Sequence, residues 1–141
     1  MQPLNPSADP DFIVRIVDDD PSFLLSLRLV LEQEGFICRT WSRASTFLEE
    51  ESGEKPGVIL LDIHMPEMTG LEVLQRLGER HSDLPVICMS GHSDPNLLIQ
   101  SIESGAAVFI AKPFGVKALL AAIDRAKERH RRTNEEEKRE D

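Results

Sequence analysis

"GVILLD", residues Gly57 to Asp62, is an unbroken apolar run that stops on a carboxylate. A parallel strand covered on both faces has this composition. Similar units flank it. "FIVRIV" at 12–17 reads as a short strand, and "PSFLLSLRLVLEQEG" sets Phe23, Leu24, Leu27, Val30 and Leu31 on one helical face that stops at Gly35. "FICRTW" at 36–41 is shorter and more polar, which suits a sheet edge. Ser42 is positioned to cap a helix burying Ala44, Phe47 and Leu48. Beyond the "HMPEMTG" loop, Leu71, Leu74 and Leu77 recur at spacings of three, and Thr69 and Glu72 have the spacing of a capping box. "LPVICMS" at 84–90 is a fourth strand, Asp94 and Pro95 open a helix that ends at Gly105, and "AAVFI" at 106–110 is a fifth strand. "VKALLAAIDRAKERHRR" is the last helix, apolar at Leu119, Ala122, Ile123 and Ala126. Five strand–helix units with short connections predict an α/β fold, a doubly wound five-stranded parallel sheet with helices on both faces.

The chain has 141 residues, one domain's worth, with a formal net charge of -9. Residues 124–141 hold seven basic and seven acidic side chains, so the imbalance of 18 acids against 9 bases lies in residues 1–123. That balance argues against a surface for direct nucleic-acid binding. Cys38 and Cys88 sit in apolar segments without ligand spacing and are expected to be buried thiols of a reducing compartment. The Pro- and Asp-rich residues 1–11 are expected to be disordered and do not read as a signal peptide. No run approaches a membrane span, so no membrane insertion and a cytoplasmic location are expected. No apolar residue follows Ala126, which excludes a coiled-coil seam, and residues 130–141 form a charged extension or a truncated linker.

The polar residues fall at the strand ends. Asp18, Asp19 and Asp20 follow the first strand, Asp62 closes the third, Ser90 the fourth, and Lys112 stands just past the fifth. In a parallel sheet these ends share one edge, where open α/β folds bind ligands. Adjacent carboxylates are tolerable beside a hard divalent cation, and an all-oxygen set suits Mg²⁺ or Mn²⁺ and, less specifically, Ca²⁺. Asp20 before Pro21 reads as a helix N-cap rather than a third ligand.

Read together, "VDDD" at 17–20, "LLDIHMPEMTG" at 60–70, "CMSG" at 88–91 and "FIAKPF" at 109–114 resemble the receiver domain of two-component response regulators, over residues 12–129. The resemblance implies a flavodoxin-like (βα)5 fold with strand order 2-1-3-4-5. It implies that Asp62 accepts a phosphoryl group from a histidine kinase or phosphotransfer protein, in a self-catalysed reaction unlike that of a conventional turnover enzyme. Asp18 and Asp19 then match the acid pair that holds Mg²⁺ with Asp62, and His64 the position giving a backbone carbonyl to the metal. Ser90 and Lys112 match the phosphoryl-contacting hydroxyl and lysine, and Phe109 the aromatic switch that follows Ser90. Pro66 belongs to the loop after the acceptor, which Gly70 ends, and Pro113 matches a proline often preceded by a cis peptide bond. His64, its side chain expected to face solvent, and His92 stand where they could set the lifetime of the phosphorylated state. The resemblance also implies a switching surface made of the fourth helix, fifth strand and fifth helix, serving an output domain or a phosphorylation-dependent homodimer. The stretches "SGHSD" and "FIAKPF" are most similar to receivers of regulators with a LuxR-type helix-turn-helix output.

Competing classes fit less well. An aspartate-nucleophile phosphohydrolase needs a second acid two residues after the nucleophile, where this chain has His64. The three aspartates after the first strand would repel a flavin phosphate, and the chain has no phosphate-cradling G-x-x-x-x-G-K-[S/T] loop. The remaining alternative is a phosphorylation-independent receiver-like docking module.

Overall fold

The computed structural model describes residues 11–80, 82–91 and 95–140, without the side chains of residues 134 and 137–140. Five strands alternate with five helices: β1 (Ile13–Val17), α1 (Pro21–Gln33), β2 (Ile37–Trp41), α2 (Ala44–Glu50), β3 (Gly57–Asp62), α3 (Gly70–Glu79), β4 (Val86–Ser90), α4 (Pro95–Glu103), β5 (Val108–Ala111) and α5 (Val116–Glu140). All pairings are parallel and the strand order is β2-β1-β3-β4-β5, as expected for a flavodoxin-like sheet. The order reverses between β1 and β3, so the residues after these two strands meet at the switch point.

The alternation within the strands divides the core. Val14, Ile16, Val58, Leu60, Ile87 and Met89 face α1 and α5, meeting Leu24, Leu27, Leu31, Leu119 and Ile123. Val17, Ile59, Leu61 and Cys88 face the opposite layer, with Phe47, Leu48, Val73, Leu74 and Leu77. Successive strand residues thus serve different layers, which is why "GVILLD" is apolar throughout. Both cysteines are buried and unbridged, and burial pushes each thiol up to about 12, leaving it protonated and unreactive.

Local signals account for several helix starts. Asp20 caps α1, its Oδ1 accepting from Ser22 N at 3.0 Å and Phe23 N at 3.3 Å, and Pro21 opens the helix. Thr69 Oγ1 accepts from Glu72 N at 3.2 Å at the start of α3. Ser42 does not cap α2. The cap position is Arg43, without a side-chain cap, and Glu67 from the β3–α3 loop supplies the acceptor instead, its Oε1 lying 3.1 Å from Ser45 N. The cap expected at Asp94 lies outside the described residues. The α5 helix runs through the charged segment, where Arg131 bonds Glu128 and Glu135 one turn to either side.

Arg15 of β1 departs from the apolar pattern. It is 1% exposed, on the α2–α3 side of the sheet. Its guanidinium donates to the carbonyls of Ile13, Lys55 and Pro56, and Nε lies 2.9 Å from Glu51 Oε1 without the alignment of a hydrogen bond. This cluster ties the α2–β3 connection to the sheet. Gly57 sits against it with φ of +154°, and a Cβ there would come within 1.8 Å of the Ile13 carbonyl oxygen.

Candidate functional site: an acidic rim with a lysine and a hydroxyl

The carboxyl ends of β1 and β3 bring Asp18, Asp19 and Asp62 together, with one carboxylate oxygen of each within 4.8 Å of the others. Asp18 and Asp62 are buried and Asp19 is exposed. Asp18 Oδ1 accepts from Asp20 N at 3.0 Å, which orients the first acid by its own turn. Asp62 Oδ1 accepts from His64 N at 3.1 Å. The opposing cation comes from the residue after β5: Lys112 Nζ lies 2.6 Å from Asp18 Oδ2 and 3.8 Å from Asp62 Oδ2. Lys112 also rests 4.2 Å from the centre of the Phe23 ring, so packing and charge together fix its head. The peptide bond from Lys112 to Pro113 is cis.

Burial pushes the Asp62 carboxyl up to about 6. The His64 backbone donor opposes that rise, the Asp18 charge adds to it, Lys112 opposes it, and Asp19 adds a smaller increment. A buried acid held so high is short of positive charge. The donors are all oxygen and converge from two strands, so they fit a hard divalent cation.

Ser90 ends β4 beside Asp62 and is buried. The His64 side chain is exposed as expected, yet its Nε2 reaches to 3.1 Å from Ser90 Oγ, so the ring does more than face solvent. Phe109 is half-buried against the α3–α4 side of the core. It lines a cleft of about 590 Å³ with Leu98, Ile102, Val108, Arg125 and Arg129. Gly70 starts α3 rather than merely ending a loop: its N donates to Ile63 O at 2.9 Å, and a Cβ would meet Ile63 Cα at 2.6 Å. Pro66 lines a second cleft, of about 400 Å³, beside Asp19 and Arg43. His92 lies outside the described residues. Sequence reasoning missed Glu67, which bonds Arg43 and the Ser45 hydroxyl as well as the Ser45 amide, and so fastens the loop after Asp62 to the start of α2.

Fold and site define a parallel α/β domain with an acidic, cation-seeking centre on the carboxyl edge of its sheet. Residues 14–124 match the family model described as "Response regulator receiver domain", and the chain belongs to that family. It is 39% identical over 113 residues to the DNA-binding transcriptional regulator NtrC of Proteus hauseri, covering 80% of this chain and 24% of NtrC. It is 36% identical over 118 residues to the transcriptional regulatory protein FixJ of Rhizobium meliloti (strain 1021), covering 84% of this chain and 58% of FixJ. The chain therefore spans about a quarter to somewhat over half of these relatives. Among solved structures, the crystal structure titled FixJ-N superposes with a TM-score of 0.78 at 35% identity, over 83% of this chain and 94% of that one. The beryllofluoride-activated NtrC4 receiver domain dimer superposes with a TM-score of 0.76 at 32% identity, over 84% and 98% respectively.

The chain is thus a response-regulator receiver domain of a two-component system, and the docking-module reading is not favoured. Receivers of this family bind Mg²⁺ at an acidic pocket, and this chain has an aspartate cluster of that kind. No helix among the described residues is long and apolar enough to cross a membrane.

Proposed function

We infer that Asp62 is the residue of this receiver that takes the phosphoryl group from a phosphohistidine. One observation carries the assignment: the carboxylate at the end of β3 has the ammonium of Lys112, just past β5, 3.8 Å away and a buried hydroxyl at the end of the neighbouring β4. In the transfer, an Asp62 oxygen bonds to phosphorus as the donor's phosphorus–nitrogen bond breaks. The leaving imidazole keeps the electron pair and takes up a proton.

Asp18, Asp19 and Asp62, with the His64 carbonyl, would hold Mg²⁺, or Mn²⁺ in its place, and the bound cation would neutralise the repulsion between carboxylate and phosphoryl group. Lys112, already shared between Asp18 and Asp62, pairs with a phosphoryl oxygen. The Ser90 hydroxyl turns to bond another, and Phe109 swings into the space it leaves. Water later cleaves the acyl phosphate at the same centre, with the His64 ring beside it.

Movement of Ser90 and Phe109 would shift the population of the α4–β5–α5 surface, where apolar Leu98, Ile102 and Val108 meet Arg125 and Arg129. A histidine kinase or phosphotransfer protein supplies the phosphoryl group, and that surface serves a phosphorylation-dependent homodimer or an output domain. The names of NtrC and FixJ support a transcriptional output for this receiver. The finer assignment to a LuxR-type output rests on "SGHSD" and "FIAKPF". The test is incubation with acetyl phosphate and Mg²⁺, followed by intact-mass analysis. The expected gain is one phosphoryl group, absent in Asp62→Asn; undiminished label in that variant would overturn the assignment.

A further inference from the structure

His64 touches both working groups of the centre. Its backbone N–H donates to Asp62 Oδ1 at 3.1 Å, and its ring Nε2 lies 3.1 Å from Ser90 Oγ. The two contacts have different fates in the reading above. The backbone contact belongs to the turn after β3 and accompanies the acceptor. The ring contact joins the β3–α3 loop to the end of β4, across 26 residues of chain, and holds the hydroxyl that has to turn. A serine hydroxyl carries one proton and sits in one of three rotamers. Whether Nε2 gives or receives the hydrogen, the bond selects the rotamer that points Oγ toward the ring. Ser90 is 1% exposed with the ring in place, so in the resting structure water does not compete for that oxygen.

We propose that the His64 imidazole is a positioning residue that latches Ser90 in the resting state and sets the threshold for switching. The inference rests on the reading in which Ser90 turns to a phosphoryl oxygen. The ring bond exists before that turn and is given up by it, so its free energy is charged against activation and not against metal binding. Losing it favours the switched state by about the worth of one ordinary hydrogen bond, roughly two- to tenfold in the equilibrium. The latch also explains how an exposed side chain two residues from the acceptor reaches the buried switch. Phe109 pairs in register with Cys88, two residues before Ser90, so the aromatic stands on the strand beside the hydroxyl whose turn it follows.

The test has a resting-state arm and an activated-state arm. In the resting protein without metal or phosphoryl donor, ¹⁵N NMR of the His64 ring should show an Nε2 resonance that shifts in Ser90→Ala. An unmoved resonance would overturn the latch. In the second arm, beryllofluoride with Mg²⁺ is titrated into the unsubstituted protein, His64→Ala, Ser90→Ala and the double variant. His64→Ala is expected to bind beryllofluoride two- to tenfold more tightly and to shift the Phe109 resonances toward their activated positions. His64→Gln, whose amide keeps a hydrogen-bonding end, is expected to restore much of the original affinity. In the Ser90→Ala background the His64→Ala effect should vanish, because the latch has nothing to hold. An equal effect in both backgrounds, no effect, or weaker binding in His64→Ala would overturn the latch while leaving the phosphoacceptor reading standing. Failure of the unsubstituted protein to bind beryllofluoride would overturn that reading, and the latch with it.

Discussion

Replacing Asp62 with Asn should stabilise the metal-free protein at neutral pH while abolishing phosphorylation. The buried Asp62 carboxyl is raised from 3.8 to about 6, because burial and the neighbouring Asp18 and Asp19 charges disfavour its anion. Its unfolded-state value is the lower one. Below about pH 3 the carboxyl is protonated in both states and carries no penalty. As pH rises toward about 6 the unfolded chain ionises first, so the folded state loses stability across that window. Above it the loss is complete, at about 3 kcal/mol for about two pKa units. Asparagine has nearly the same shape, keeps an oxygen for the His64 amide, and carries no charge. The variant should therefore gain up to about 3 kcal/mol at about pH 7.5, or roughly 5–10 °C in Tm for a domain of this size. The gain should fade only below the unfolded-state value, by about pH 3, where the carboxyl is neutral in both states. Thermal and urea unfolding in chelator at the two pH values measures the difference. No gain near neutrality, or the same gain at both values, would refute the electrostatic account of the site.

Saturating cation should reverse part of that penalty: Mg²⁺ at about ten times its dissociation constant should stabilise the protein by about 1.4 kcal/mol, and Asp62→Asn by much less, read as Tm against metal concentration. Lys112→Ala leaves buried Asp18 without its 2.6 Å partner. It should cost roughly 2–3 kcal/mol in chelator, less than a fully buried pair because the lysine is partly exposed, and should recover with Mg²⁺. Arg15→Ala removes the buried cation opposite Glu51 and the guanidinium donors to three backbone carbonyls, and urea unfolding should register a loss of about 3–5 kcal/mol. Glu67→Ala should leave the sheet intact and accelerate amide exchange at Ser45, where α2 loses its borrowed cap.

The sequence determined by itself whatever one element decides locally. "GVILLD" is a doubly covered strand because its alternate residues serve two layers, and Asp20 with Pro21 starts α1 because cap and first turn are neighbours in the chain. The polar residues at the strand ends were legible for the same reason, since parallel strands share a carboxyl edge. The order that seats β1 beside β3, and so Asp18 beside Asp62, came from the family resemblance and not from periodicity. Other contacts were decided only in three dimensions. Ser42 had the chemistry of a cap, but the acceptor that reaches Ser45 is Glu67, 22 residues away. Arg15, inside a strand read only as "FIVRIV", finds its partners because the α2–β3 connection folds over it and presents carbonyls and Glu51. His64 looked like a solvent-facing ring, and only the adjacency of β3 and β4 brings Ser90 Oγ to its Nε2. Periodicity and capping act within a few residues of chain, whereas hydrogen bonds between loops depend on which strands become neighbours, and the tertiary structure alone decides that.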